Sequence, residues 1–143
     1  MVDMKGTYEW NAADNLDQFL SALGFNMLMR KAAIHDPATP VMTVSEDNGQ
    51  WTIRSATMLK SMELSCAEAT FKLGEEYEET TADGRAVRSI TTIDGDKMIT
   101  VQTAKKDGEK STINIREFSA DKCIMRIELI GTDVVCTETY VRK

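Results

Sequence analysis

The sequence predicts a mainly β protein in which two short helices precede a long antiparallel meander, arranged as a barrel or a sandwich. Asn-Gly and Asp-Gly pairs stand between β-rich segments, and such pairs are the strongest short-range hairpin signals. Helical periodicity is confined to the stretch before DPATP. A meander of this length exposes its edges unless it closes or stacks, so a barrel or a sandwich is expected.

The first helix is predicted in DNLDQFLSALG. Asp14 or Asn15 can cap its start, and Gly24 is a natural stop. Its apolar residues fall at i, i+3, i+4 and i+7, which form one face of a helix. They are Leu16, Phe19, Leu20 and Leu23.

The second helix is predicted in FNMLMRKAAIHD and must end before DPATP, because prolines disfavour helix at the residues before them. Its apolar stripe comprises Phe25, Leu28, Met29 and Ala32. Almost no gap separates the two patterns, so they predict a compact pair of helices.

The remaining segments are rich in β-forming residues and end at turn signals. In order they are VMTVSE, WTIRSAT, TFKLGEEYEETT, AVRSITTI, MITVQTA, STINIREF, CIMRIELI and VVCTETYVRK. The turns between them include DNG, ADGR, DGD, KDGEK, SADK and GTD. Such an order predicts consecutive antiparallel hairpins.

Several of these strands carry polar residues on both faces. In STINIREF, Ile113 and Ile115 share one face, and the other face comprises Thr112, Asn114, Arg116 and Phe118. A tightly packed core does not tolerate many unpaired polar groups. The pattern favours a barrel around a solvated ligand cavity, although an open and weakly amphipathic sheet has the same pattern.

Length, composition and charge favour one soluble domain over residues 1–143. Hydrophobic residues make up 42% of the chain and charged residues 28%, with a net charge of −6. These values are ordinary for a globular protein, and the acidic balance argues against nucleic-acid binding. No apolar run approaches the ~20 residues of a membrane span, and the first residues lack the apolar core of a signal peptide.

Metal, cofactor and enzymatic chemistry are not expected. Cys66, Cys123 and Cys136 are odd in number and far apart, which is typical of reduced thiols in a cytoplasmic protein. A single histidine, His35, leaves neither the ligands for a zinc site nor a convincing Ser-His-Asp triad.

The last strand raises the question of a buried acid. In CTETY, alternation places Cys136, Glu138 and Tyr140 on one face of the strand. If that face is the inner one, a carboxyl group lies beside a tyrosine inside the barrel.

Three stretches resemble the intracellular lipid-binding protein family, which includes the fatty-acid-binding proteins and the cellular retinoid-binding proteins. They are GTYEWNAADNLDQFLSALGF, FKLGEEYEETTADGRAVRS, and IREF together with GTDVVCTETYVRK. The resemblance covers essentially the whole chain. It implies a closed antiparallel ten-stranded up-and-down β-barrel, calycin- or lipocalin-like, with residues 15–34 as a two-helix lid. It also implies a monomeric cytoplasmic carrier of a long-chain fatty acid or similar hydrophobic ligand.

The family pattern for carboxylate ligands implies two interior arginines and a tyrosine on the last strands. Arg116 and Tyr140 match two of these positions, but Glu138 stands where the second arginine is expected. A buried guanidinium suits a carboxylate because it stays charged and offers a planar fork of donors. The further ligand contacts that we expect are Arg85, Leu16, Met27 and Leu59.

Three alternatives are open for Glu138. It can pair with Arg116, directly or through water, because an unpaired buried charge is penalised. It can be protonated and bond a ligand oxygen, or it can face outward after a slip of one residue in register. The first two make a retinoid or a neutral-headed lipid the alternative ligand, although Arg116 and Tyr140 would still hold a carboxylate if Glu138 turned towards Arg85, a lysine or water.

Two further features concern the rim of the predicted barrel. The segment MLKSMELSCAEATFKLG is longer than the family pattern, which predicts a longer hairpin beside the portal. Arg30 and Lys31 on the second helix predict a transient contact between the lid and anionic membranes.

Overall fold

The computed structural model describes residues 2–81 and 84–143, which form a nearly closed antiparallel barrel with two short helices. The helices are α1 (Leu16–Ala22) and α2 (Met27–Ile34). The strands are β1 (Gly6–Asp14), β2 (Thr39–Asp47), β3 (Gln50–Leu59), β4 (Met62–Lys72), β5 (Tyr77–Thr80), β6 (Ala86–Asp94), β7 (Lys97–Ala104), β8 (Thr112–Phe118), β9 (Lys122–Leu129) and β10 (Val135–Arg142). The predicted ten-stranded barrel with an N-terminal helix pair is confirmed. The predicted ADGR turn includes Ala82 and Asp83, which lie outside the described residues.

The ladder of main-chain hydrogen bonds has one interruption. The sheet order is β4-β3-β2-β1-β10-β9-β8-β7-β6-β5. The first and last strands of the chain, β1 and β10, pair with each other in the middle of this order. Within the described residues, β4 and β5 are therefore the two edges of the sheet. Phe71 on β4 and Tyr77 on β5 stack across this gap with ring centroids 4.7 Å apart and an interplanar angle of 11°. We call this junction of Met62–Lys72 with Tyr77–Thr80 the seam.

The two ends of the barrel are closed by different groups. At one end, which we call the base, the Tyr8 hydroxyl donates to the Met4 carbonyl (2.8 Å), and the Tyr8 and Phe118 rings meet edge to face. At the other end, the mouth, α1 packs Phe19 and Leu20 against Leu129. Apolar burial at both ends leaves the middle of the barrel to the polar residues described below.

Helix α1 begins and ends near the predicted signals, with one difference in how it is capped. Asn15 occupies the N-cap position in the left-handed region (φ 64°), and its side chain makes no capping bond. The side-chain amide instead donates to the Val135 carbonyl (2.9 Å) and ties the helix to β10. Gly24 (φ 100°) follows the helix, as predicted, in the left-handed conformation that glycine adopts without strain.

The segment predicted as one strand, TFKLGEEYEETT, contains parts of two strands. Gly74 has φ 79° and its amide donates to the Thr91 carbonyl (2.9 Å), so the chain turns between β4 and β5. The prediction was wrong here because the β-rich residues on either side outweighed one glycine. Strands β3 and β4 have 10 and 11 residues, and the segment predicted to be longer than the family pattern lies in this hairpin.

Candidate functional site

Arg116 and Glu138 face the interior at the same level of the barrel. Strand β9 lies between their strands, and each of the two residues is opposite Met125. On its other side Arg116 is opposite Met98, which is 0% exposed. Residues opposite each other share a face, so Glu138 points inward, and the outward alternative is excluded. Two strand spacings separate the main chains of Arg116 and Glu138, about 9.5 Å.

Tyr140 completes this group from the same strand as Glu138. Its hydroxyl donates to Glu138 Oε2 at 3.2 Å, and its ring lies between Trp10 on β1 and Cys123 on β9. Burial raises the pKa of Tyr140 well above its usual range, and the charge of Glu138 raises it further, against an opposing effect of Arg116. The hydroxyl therefore remains a donor at any physiological pH.

Glu138 is a buried carboxyl group held by few partners. Burial raises its pKa, while the Tyr140 hydrogen bond and the charge of Arg116 act in the opposite direction without cancelling the effect. None of the ion pairs found among the described residues joins Glu138 to Arg116. The predicted direct pair is therefore not formed, and protonation of Glu138 is favoured relative to an exposed glutamate.

Arg116 has donor capacity to spare. Its Nε is buried and has no hydrogen-bond partner among the described residues. Its charge is close enough to lower the pKa values of Tyr77, Cys123 and Tyr140. A guanidinium in this position can donate to an oxygen that enters the space between β8 and β10.

A polar wall lies on the β5–β8 side of the interior, between the Arg116 level and the mouth. Ser89 Oγ (2.6 Å) and Gln102 Nε2 (3.1 Å) donate to Glu79 Oε2, and Thr112 Oγ1 donates to Gln102 Oε1 (2.9 Å). A second chain joins the Tyr77 hydroxyl to Thr91 Oγ1 and Thr91 Oγ1 to Thr100 Oγ1, each at 2.8 Å. The polar residues on one face of AVRSITTI and of STINIREF indicated that polar groups would line the interior. The hydrogen bonds described above satisfy these groups.

The other predicted ligand contacts lie nearer the mouth and do not join the Arg116 group. Arg85 precedes β6 and is 8% exposed, and its Nη1 donates to the Lys110 carbonyl. Arg85 lies eight residues before Ile93, the β6 residue opposite Met98, which is on the order of 26 Å along an extended strand. Glu138 therefore cannot turn to Arg85.

The three predicted apolar contacts occupy different environments. Leu16 is partly buried against the α1 cluster at the mouth. Leu59 is half-buried at the end of β3, opposite Met62. Met27, however, is 63% exposed on α2 and packs against neither of the two core clusters of the described residues.

Sequence reasoning missed Tyr77 and Asn114 as site residues. Tyr77 lies in the acidic stretch GEEYEE, which is typical of a solvated strand edge, yet its hydroxyl reaches the interior wall. Asn114 shares the inner face of β8 with Arg116, and alternation alone was sufficient to place it there.

Within residues 2–81 and 84–143, no helix is long and apolar enough to cross a membrane. In the same described part of the chain, no group of three or more histidine, cysteine, aspartate and glutamate side chains is arranged to hold a metal ion.

Comparison with known proteins agrees with this architecture over the whole chain. Human cellular retinoic acid-binding protein 1 is 34% identical over 145 residues, covering 100% of both chains. The solved structure of the REP1-NXSQ fatty acid transporter superposes with a TM-score of 0.81 at 32% identity, covering 99% of this chain and 96% of that one. A Schistosoma mansoni fatty acid binding protein in complex with arachidonic acid gives a TM-score of 0.81 at 26% identity, covering 97% and 95%. The profile of the lipocalin / cytosolic fatty-acid binding protein family matches residues 5–143, and the chain belongs to that family.

Proposed function

We propose that this protein is a monomeric cytoplasmic carrier, not an enzyme, and that it holds a long-chain fatty acid inside the barrel. The observation that carries the proposal is Arg116, whose guanidinium Nε is buried and has no hydrogen-bond partner among the described residues. The Tyr140 hydroxyl lies beside it. Together they offer donors to a carboxylate, and burial of the acyl chain contributes about 0.8 kcal/mol per CH₂.

The similar proteins support a carrier of this class. One relative is a retinoic acid-binding protein, and one similar solved structure contains arachidonic acid. Both ligands are long apolar molecules with a carboxyl group at one end, and Arg116, whose Nε is unpaired among the described residues, could donate to such a group.

A retinoid or a neutral-headed lipid is the second candidate, and Glu138 favours it. Its carboxyl group faces the same space as Arg116, so an ionised Glu138 reduces the attraction for an anionic head group. An alcohol or amide can accept from Arg116 and donate to Glu138 without adding charge.

The experiment that tests the proposal has two steps. Lipid that co-purifies with the protein is extracted and identified by mass spectrometry, and the stripped protein is then titrated with a fluorescent fatty acid. We expect a fatty acid in the extract, and we expect Glu138→Arg to tighten fatty-acid binding because a second cation then faces the carboxylate. The control is Glu117→Arg, which makes the same change in net charge at an exposed residue on the outer face of β8.

Three outcomes distinguish the candidates. A neutral lipid in the extract, with weak fatty-acid binding, favours the second candidate. Equal binding of the fatty acid by the wild type and Glu138→Arg shows that Glu138 does not contact the head group. A stripped protein that binds no fatty acid, retinoid or neutral lipid overturns the carrier proposal.

A further inference from the structure

Asn114 is a buried amide that the polar wall leaves unsatisfied. It lies on the inner face of β8, it is 8% exposed, and its Oδ1 is buried without a donor among the described residues. Buried side-chain oxygens in folded proteins nearly always accept a hydrogen bond. The exception here lies on the same face as Arg116, two residues away.

None of the described neighbours of Asn114 donates a hydrogen bond to its side-chain oxygen. On β7 the opposite residue is Thr100, whose hydroxyl is bonded to Thr91. On β9 the opposite residue is Ile127, which has no polar side-chain atom. Towards the mouth, Thr112 donates to Gln102. Neither these residues nor Arg116, two residues towards the base, donates to Asn114 Oδ1 among the described residues, so this oxygen is open to a donor that enters the interior space.

The position of Asn114 relative to Arg116 defines where that donor would lie. Strand β8 runs from the mouth at Thr112 to the base at Phe118, because Thr112 is opposite Leu129 and Phe118 belongs to the base cluster. Asn114 is thus about 6.6 Å from Arg116 along the strand, in the direction of the mouth. A chain that is anchored at Arg116 and extends to the mouth passes Asn114.

We propose that Asn114 is a second polar subsite, which takes a hydroxyl group on the ligand chain a few carbons from the head group. The inference rests on the proposed function, since it assumes a lipid anchored at Arg116. A hydroxyl both donates and accepts, so it pairs with the side-chain amide in either orientation. The ligand class is a long-chain lipid that is hydroxylated near its polar end.

The test compares stearic acid with a series of hydroxystearic acids that differ only in the position of the hydroxyl. Isothermal titration calorimetry on the stripped wild-type protein measures each affinity. We expect the affinity to peak at one position near the head group, at about five- to tenfold above stearic acid, as one neutral hydrogen bond implies. Hydroxystearic acids with the hydroxyl near the tail are expected to bind more weakly than stearic acid, because that hydroxyl is buried without a partner.

Two variants assign the effect to Asn114. Asn114→Leu keeps a similar volume and removes the polar atoms, so the ratio of its affinities for the hydroxylated ligand and for stearic acid should fall to one or below. Thr92→Val removes an exposed hydroxyl from β6 and should leave the preference unchanged. In the wild type, the side-chain amide signals of Asn114 in a ¹⁵N NMR spectrum should shift with the preferred hydroxystearic acid and less with stearic acid.

The outcomes separate this inference from the proposed function. If stearic acid binds but every hydroxystearic acid binds more weakly, the subsite is overturned and the carrier proposal stands. A preference that persists in Asn114→Leu also overturns the subsite. If neither stearic acid nor any hydroxystearic acid binds, the proposed fatty-acid carrier fails and the subsite fails with it.

Discussion

Glu138 is a single residue at which burial and ionisation oppose each other. In the folded chain its carboxyl group is surrounded by the barrel wall, and burial raises its pKa. The protonated form is the one that a buried site accepts most readily, while the ionised form is the one that water favours. The stability of the protein should therefore depend on the protonation of this residue.

We expect Glu138→Gln to stabilise the protein at pH 7.5 but not at pH 4. The folded-state pKa of Glu138 is raised above its usual value of 4.5. Its contribution to stability is therefore fully present below pH 4.5 and is lost as pH rises through the folded pKa. Glutamine cannot ionise and does not incur this loss. Thermal unfolding should give a higher Tm for the variant at pH 7.5, and the two curves should converge as the pH falls.

The control for this prediction is Glu117→Gln, because Glu117 is exposed on the outward phase of β8. It should change Tm little at either pH. A Tm difference between Glu138→Gln and the wild type that stays constant from pH 4 to pH 7.5 would show that the effect is packing and not ionisation.

The cysteines are a second case in which burial controls a single residue. Burial raises the pKa of Cys123 and of Cys136 to about 12, so almost no thiolate is present at pH 8, and thiolate is the reactive form. Cys66 is exposed on β4. A thiol reagent should label one cysteine quickly in the native protein and all three after unfolding. Cys66→Ser should abolish the fast reaction, and a remaining fast reaction would contradict the assignment.

The sequence predicted where three candidate site residues lie better than how they interact. Alternation along CTETY and IREF, together with the resemblance, favoured inner positions for Arg116 and Tyr140 and left an outward Glu138 as one alternative. It did not predict that Arg116 and Glu138 would remain unpaired, because that depends on the spacing of two strands that are not neighbours. The unsatisfied oxygen of Asn114 was equally inaccessible, since it depends on Thr100 bonding to another threonine.

At the level of elements, α2 is the helix whose side chains are least covered. Leu28 is 79% exposed, and no residue of the helix is buried. Arg30 donates to Asp17 (2.9 Å) and to the Phe25 carbonyl (2.8 Å), so its charge is already used to hold the two helices together. Arg30 and Lys31 are the two cations predicted to contact membranes, and of these two Lys31 is the exposed one.

We expect Leu28→Ser to slow the transfer of a bound fluorescent fatty acid to anionic vesicles. An exposed leucine beside a lysine can enter the interface of a bilayer, and serine removes most of that apolar contact. The transfer rate of the wild type should rise with vesicle concentration, and that of the variant should rise less steeply. Leu73→Ser, an exposed leucine in the turn after β4, is the matched control. Identical slopes for Leu28→Ser and the wild type would contradict a contact through α2.

Helix and strand prediction succeeded where signals agreed and failed where they conflicted. Gly24 ended α1 as predicted, because the apolar periodicity stops at the same point. Gly74 was passed over because β-forming residues flank it on both sides. The left-handed conformation of Gly74 and its bond to Thr91 are set by β6, which is distant in sequence.

At the level of the whole molecule, the seam is the place where side chains replace main-chain hydrogen bonds. The Phe71 and Tyr77 rings stack there, and the Tyr77 hydroxyl anchors its ring to Thr91. The strand pattern predicted a barrel or a sandwich, and the resemblance predicted a closed barrel of ten strands. Neither of these predictions located the gap between β4 and β5, because strand propensity does not determine which two strands lack a partner.

We expect Tyr77→Ala to lower the free energy of unfolding by about 3 kcal/mol, as the loss of a largely buried aromatic ring does. Tyr77→Phe keeps the ring and loses one hydrogen bond, so it should cost about 1 kcal/mol. Urea unfolding monitored by fluorescence measures both. An equal loss in the two variants would show that the hydroxyl, and not the stacked ring, holds the seam.

Because no ladder of main-chain hydrogen bonds joins β4 to β5, we expect the circumference of the barrel to be adjustable at the seam. Rings can slide over one another while they remain in contact, whereas a ladder of hydrogen bonds changes register only in whole steps. We therefore expect the barrel to widen at the seam when it takes a thicker ligand. Strands β8 and β10 are paired on both sides, so we expect their polar groups to keep their positions and to set the selectivity.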